Sequence, residues 1–225
     1  MELIIDVSPS VAAAGIAHDG EVAWSGSRLT TRDHTTMLLP QILAGMSEAK
    51  AFPQDISHVI VATGPGPFNG LRVALAVAKG IVVAEGIAIV GIDSLLAEAS
   101  RCSPTSDFLR PVIPAGKTTI ATALFRKSDT SWQQIEDARV VAEQDIVEIL
   151  QERPAPLCGD IDDEVRERLQ QQSLADFVEP QRTRIESLAA LGHARAIAGE
   201  IDSVATLQPR YVRPPHITKP RERRH

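Results

Sequence analysis

Apolar positions in this 225-residue chain come in short runs separated by polar turns, and their spacing changes between two periods. Leu3–Val7 is an apolar run that stops at Ser8-Pro9-Ser10, a turn signal. Val11–His18 and Glu21–Ser27 flank Asp19-Gly20, which predicts two strands joined as a hairpin. Leu38, Leu39, Ile42, Leu43 and Met46 then recur at helical spacing over Thr36–Lys50. Pro40 lies inside that span, so the helix should start late or kink there. His58–Ala62 reads as a buried strand, 64–70 as a Gly/Pro loop, Leu71–Glu85 as a helix and Ile87–Ile92 as a strand. Asp93 or Ser94 can cap a short helix that ends near Arg101.

Ser103, Pro104 and Ser106 mark a break over Cys102–Asp107, after which the order of elements repeats. Strands are predicted at Leu109–Pro114, Thr118–Arg126 and Trp132–Val141, and a helix at Glu143–Glu152. A strand at Ala155–Gly159, a helix at Asp162–Gln171, a weak strand at Asp176–Glu179 and a helix at Arg184–Gly199 follow. Two successive βββαβαβα units describe an α/β fold of two ribonuclease-H-like lobes, the actin/Hsp70/sugar-kinase (ASKHA) architecture. The expected division is an N-terminal lobe over 1–102, a C-terminal lobe over 107–205 whose last helix can return to the first lobe, and a tail over 206–225.

Charge makes that tail distinct. From Pro209 to His225 six basic residues stand against Glu222 alone, within a chain of formal charge −6, so the rest is strongly acidic. Such a balance argues against a protein that coats nucleic acid by bulk electrostatics. With 4% aromatic residues there is little ring surface for stacking bases. Cys102 and Cys158 sit in no metal-ligand spacing, which suits a reducing, cytoplasmic setting with both thiols packed in the interior. No signal peptide or membrane span is expected, since the most apolar helix is interrupted by Lys79.

Several residues could carry chemistry. Asp6 ends an apolar strand beside Ser8, where it could hold a magnesium–phosphate complex or only cap the turn. Gly64, Gly66 and Gly70 allow close backbone approach before a helix whose free N–H groups suit an anion. They suit a tight strand-to-helix connection equally. Gly116-Lys117-Thr118-Thr119 imitates the end of a phosphate-binding loop, but Pro111 stands where that motif needs glycine and the following residues alternate like a strand. Asp160, Asp162, Asp163 and Glu164 open a helix, where acids complement the dipole without a ligand. No nucleophile–base constellation is recognisable, so no catalytic residue is assigned. The Leu71–Glu85 helix is apolar almost all round, with charge only at Arg72, Lys79 and Glu85, and must be covered on more than one side.

Ile5-Asp6-Val7-Ser8, Asp33-His34-Thr35-Thr36-Met37-Leu38-Leu39-Pro40, Gly64–Arg72, Ala78-Lys79-Gly80, Val90–Leu95 and Pro209-Arg210-Tyr211-Val212-Arg213 resemble, in order, the TsaB (YeaZ) family. Pro67 and Asn69 depart from the Ser and Thr usual there, and Pro114-Ala115-Gly116-Lys117 from its Asp-Ala-Arg-like start of the second lobe. The resemblance implies a non-catalytic subunit that activates a TsaD transferase in making threonylcarbamoyladenosine in tRNA. A TsaE-type ATPase would be a further partner, tRNA would be met through the complex, and the isolated chain could form a homodimer. No cofactor of its own is implied, though ATP or ADP could occupy the complex. The partner interface would be the helix pair carrying Leu38, Leu39, Ile42, Met46, Leu71, Leu75, Ala78 and Val82. TsaD holds a metal through two histidines one helical turn apart. Here Leu38 follows His34 at that spacing, so no such metal is expected. Two rival readings are an independent small-molecule kinase or ATPase using Asp6, and a tRNA-binding module using the tail.

Overall fold

The computed structural model describes residues 1–7, 11–29, 34–116, 118–129 and 131–212, except the side chains of 34–36. Its first sheet contains β1 (Glu2–Asp6), β2 (Val11–His18), β3 (Glu21–Leu29), β4 (His58–Gly64) and β5 (Ala88–Asp93), in the order β3-β2-β1-β4-β5. The β1–β2 and β2–β3 pairs are antiparallel, whereas β4 runs parallel to both β1 and β5. Parallel pairing needs crossovers, supplied by α1 (His34–Glu48) before β4 and α2 (Phe68–Glu85) before β5.

Strand periodicity sorts the core onto two faces. Leu3 and Ile5 of β1, and Val7 just after it, pack with Leu38, Ile42, Leu75 and Val82 under α1 and α2. Ile4 points the other way, towards Ile60, Ile92 and the last helix, α6 (Arg184–Ile197), through Ile185, Leu188 and Ala189. A central strand covered on both faces reads as an unbroken apolar run, as β1 does. The helix α1 runs through Pro40 rather than starting after it. In α2 the N-terminus lies at Phe68, just past Pro67, and Gly86 closes the helix in the left-handed conformation with φ 67°.

The short α3 (Ser94–Ala99) is capped by Asp93, whose Oδ1 accepts from the amides of Leu95 and Leu96 at 2.8 and 2.9 Å. The second sheet follows, built from β6 (Phe108–Pro114), β7 (Thr119–Thr122), β8 (Phe125–Lys127), β9 (Trp132–Gln134), β10 (Arg139–Ala142) and β11 (Leu157–Gly159). Expected single strands are divided here. β7 and β8 keep one register along β6, with Val112 opposite Thr122 and Phe108 opposite Arg126, but separate at Ala123-Leu124. The Leu124 carbonyl accepts from both Ile135 and Glu136, a bulge that also separates β9 from β10. The weak strand expected at 176–179 is reduced to one parallel bridge, Leu157 to Phe177. Helix α4 (Ile146–Glu152) begins with a 3-10 turn over Glu143–Asp145, and α5 (Asp163–Gln171) precedes α6.

The result is the two-lobed α/β architecture that the element order describes. After α6 the chain returns along the first sheet: Asp202 pairs with Ile89, and the Arg210 amide donates to the Thr63 carbonyl at 2.7 Å.

Candidate functional site

At the end of β1 the Asp6 side chain is buried and faces Arg184, the first residue of α6. The guanidinium donates to it through Nε to Oδ2 at 2.8 Å and Nη2 to Oδ1 at 3.4 Å. Its Nη1 reaches Glu98 Oε2 at 3.0 Å, and Glu98 Oε1 accepts from Arg101 at 2.6 Å. Burial disfavours the charged form of Arg184, but the carboxylates of Asp6 and Glu98 outweigh it and raise its pKa above the ordinary arginine value. Two buried carboxylates around one guanidinium, with Arg101 beyond, form an ionic chain between α3, α6 and β1. The cavity here is about 270 Å³ and is lined by Asp6, Ser25, Ser27, Arg101 and Arg184. That is below the roughly 300 Å³ at which small-molecule sites commonly begin. Ser8 lies outside the described residues.

Gly64 has φ 106°, and a Cβ there would lie 2.8 Å from the Arg210 carbonyl oxygen, so the returning C-terminal segment needs glycine. At Gly70 a Cβ would meet the Val7 carbonyl oxygen at 2.5 Å. Both glycines therefore serve backbone packing against other parts of the chain; Gly66 is half-buried in the turn between them. Asp162 accepts from the Glu164 amide at 3.0 Å and caps α5, which accounts for part of the acidic cluster. The Ala115 amide donates to the Thr119 carbonyl, and Thr119 opens strand β7 rather than a helix. Lys117 and the His34 side chain are not among the described residues.

The residues assigned to a partner interface divide by burial. Leu38, Ile42, Leu71, Leu75, Ala78 and Val82 lie in the chain's own core, so they cannot form an outer face. Met46 is half-buried. Leu39 is exposed, together with Leu43 on α1 and Val83 on α2 at 60% and 72% exposure. That division has a simple cause. A helix apolar nearly all round has no polar side to mark its outward direction, and the sheet chooses which apolar side points inward.

The family model described as TsaD: tRNA N6-adenosine threonylcarbamoyltransferase matches residues 27–213. YeaZ from Pseudomonas aeruginosa superposes with a TM-score of 0.72 over 93% of this chain and 98% of that one, at 18% identity. The protein from Bacillus subtilis named tRNA threonylcarbamoyladenosine biosynthesis protein TsaB is 23% identical over 155 residues, covering 69% of this chain and 68% of that protein. The chain belongs to the TsaD family, within its TsaB/YeaZ group. An uncharacterised Mycobacterium tuberculosis protein is 37% identical over 95 residues, 41% of this chain. The match spans 45%, about half, of the length of that mycobacterial relative.

Three of the segments through which the chain resembles TsaB, those around Gly64–Phe68, Asp93-Ser94 and Arg210-Tyr211, meet at one end of the first sheet. Gly64 N donates to Ser94 Oγ at 3.1 Å, and Arg210 Nη1 to Asp93 Oδ2 at 2.5 Å. Tyr211 packs on Phe68 with ring centroids 4.9 Å apart. These three segments thus support one another, and no local pattern marks Arg184 or Glu98, whose ion pair Asp6 shares. Cys102 and Cys158 are also brought together. A contact with Cys158 holds Cys102 below the ordinary thiol range, while that same contact and burial push Cys158 up. Among the described residues no helix is long and apolar enough to cross a membrane.

Proposed function

We propose that this chain is a non-catalytic subunit in the biosynthesis of tRNA threonylcarbamoyladenosine, heterodimerising with and activating a TsaD transferase in the cytoplasm. The observation that carries the reading is the outer side of α1 and α2, where Leu39, Leu43 and Val83 are exposed on helices already anchored by their inner faces. Scattered exposed apolar residues are ordinary, but these three stand on two neighbouring helices that pack on one sheet face, which supports reading them as a docking surface. The name of the Bacillus relative supplies the pathway. A TsaE-type ATPase and tRNA are partners met through the complex, any ATP or ADP belongs to the complex, and the isolated chain can pair with itself through the same helices. The kinase or ATPase reading is weakened because a magnesium–phosphate complex at Asp6 would have to displace a buried guanidinium.

The test is co-purification with the TsaD homologue from the same source, followed by threonylcarbamoyl transfer assays on each component. A stable complex, with transfer only when TsaD is present, is expected. Transfer by this chain alone, with TsaD excluded by mass spectrometry, would overturn the reading.

A further inference from the structure

At the end of β1 opposite Asp6, three residues from separate elements converge. Glu2 opens β1, Asp19 sits in the turn between β2 and β3, and His193 lies on α6. One ligand atom from each falls within 4.8 Å of the other two. The His193 Nδ1 and Glu2 Oε1 atoms are 2.8 Å apart. Glu2 is the unusual member. Its side chain is 5% exposed, and its second oxygen, Oε2, is buried with no hydrogen-bond partner among the described residues. A buried carboxylate oxygen without a donor needs a partner, and a cation is one that this cluster of ligand atoms can hold.

The geometry points to a divalent transition-metal site, of the zinc class, held by Glu2, Asp19 and His193. Ligand atoms sharing an ion at about 2.0–2.2 Å stand roughly 2.9–3.5 Å apart, and the Glu2–His193 separation is already close to this. Asp19 closes the remaining gap readily, since its side chain is 77% exposed. The turn itself is firmly seated: Asp19 and Gly20 have φ of 51° and 79°, and a Cβ on Gly20 would lie 3.0 Å from His193 Cβ. His18 Nδ1, 3.1 Å from Asp19 Oδ2, places a second imidazole at the rim. One imidazole with two carboxylates suits zinc and its first-row neighbours. Calcium requires six to eight oxygens, and magnesium retains its waters. Because the ligands join α6 to the first sheet, the ion acts as a staple on the fold, remote from the Asp6 end. These ligands are far apart in the chain, unlike two histidines one turn apart on a single helix, which a local pattern would show.

The experiment uses the full chain, free of any histidine tag and treated with a chelator. Zinc and magnesium are titrated by calorimetry and by thermal denaturation, on wild type, Asp19→Asn, Glu2→Gln and Cys102→Ser. We expect one zinc per chain and a melting temperature raised by zinc but not by magnesium. Asp19→Asn, at an exposed position, should leave the metal-free melting temperature unchanged and weaken zinc at least tenfold; Glu2→Gln should do likewise even if it shifts the metal-free baseline. Cys102→Ser should bind as wild type does. The proposal is overturned by the absence of saturable binding, by equal responses to zinc and magnesium, or by affinity that survives both carboxylate substitutions or falls with Cys102→Ser.

Discussion

At the residue scale, Arg184 is the side chain on which most depends. Replacing it with Met removes the guanidinium that joins Asp6 to Glu98 at the junction of β1, α3 and α6, and weakens the pairing of two buried carboxylates. Breaking a buried pair from one side costs about 3–5 kcal/mol, far more than loss of a surface pair, so urea denaturation of Arg184→Met should show a destabilisation of that order. A loss below about 1 kcal/mol would mean the network is solvated. A related cluster lies in the second sheet, where Glu136 receives Arg110 at 3.1 Å, Arg153 at 3.1 Å and Arg139 at 3.5 Å. Burial pushes the Glu136 carboxyl up, but Arg110 and its neighbours outweigh this and hold it below the usual carboxylate range.

At the scale of elements, α6 begins with a complete capping box. The Thr183 hydroxyl accepts from the Glu186 amide at 3.2 Å, and the Thr183 amide donates to Glu186 Oε2 at 2.6 Å. Thr183→Ala should therefore destabilise the protein by about 1 kcal/mol in chemical denaturation. The hydrogen bond from the Thr183 backbone holds Glu186 below the ordinary carboxyl range. A depressed folded pKa gives stability that is present above the unfolded carboxyl value of about 4.3 and lost as pH falls through the folded value. The stability difference between wild type and Glu186→Gln should then shrink on acidification below about pH 4; a difference that grows there would contradict the cap. In α2, Gly70 and Gly80 should behave in opposite ways. Gly70→Ala forces a side chain against the Val7 carbonyl and should destabilise by about 1–3 kcal/mol. Nothing lies within 4 Å of a Cβ on Gly80, so Gly80→Ala should stabilise the isolated chain by about 0.5–1 kcal/mol.

For the whole molecule, the test of the proposed interface separates core from surface. Leu43→Asp and Val83→Asp should leave far-UV circular dichroism and melting temperature close to wild type while weakening association with TsaD, measured by calorimetry. Leu75→Asp should instead compromise folding, because Leu75 is 4% exposed beneath α2. Folded Leu43 and Val83 variants that bind TsaD with unchanged affinity would move the interface elsewhere. The basic residues beyond Arg213 are tested by truncation, with tRNA affinity of the complex measured at two salt concentrations. A shallower salt slope on truncation would give that segment a role in RNA contact.

Hydrophobic spacing alone determined which segments become strands and helices, because periods of 2 and 3.6 are set by backbone geometry wherever the segment sits. Together with the turn signal Asp19-Gly20 and a cap at Asp93 or Ser94, it placed the first lobe's elements in order; in the second lobe two expected strands are split and the one at 176–179 is a single bridge. It could not say where a regular strand would be interrupted, since the bulge at Leu124 arises from pairing with a neighbour. The candidate site was legible only as isolated letters. Asp6 stood out because a carboxylate is unexpected in an apolar strand, but its partner lies 178 residues away, and no local pattern couples the two. The same distance in sequence conceals the convergence of Glu2, Asp19 and His193. Inward and outward faces of α1 and α2 were likewise undecided until the sheet claimed one side of each. Tertiary structure decided these points because charge pairing and burial depend on proximity in space, which local spacing does not encode.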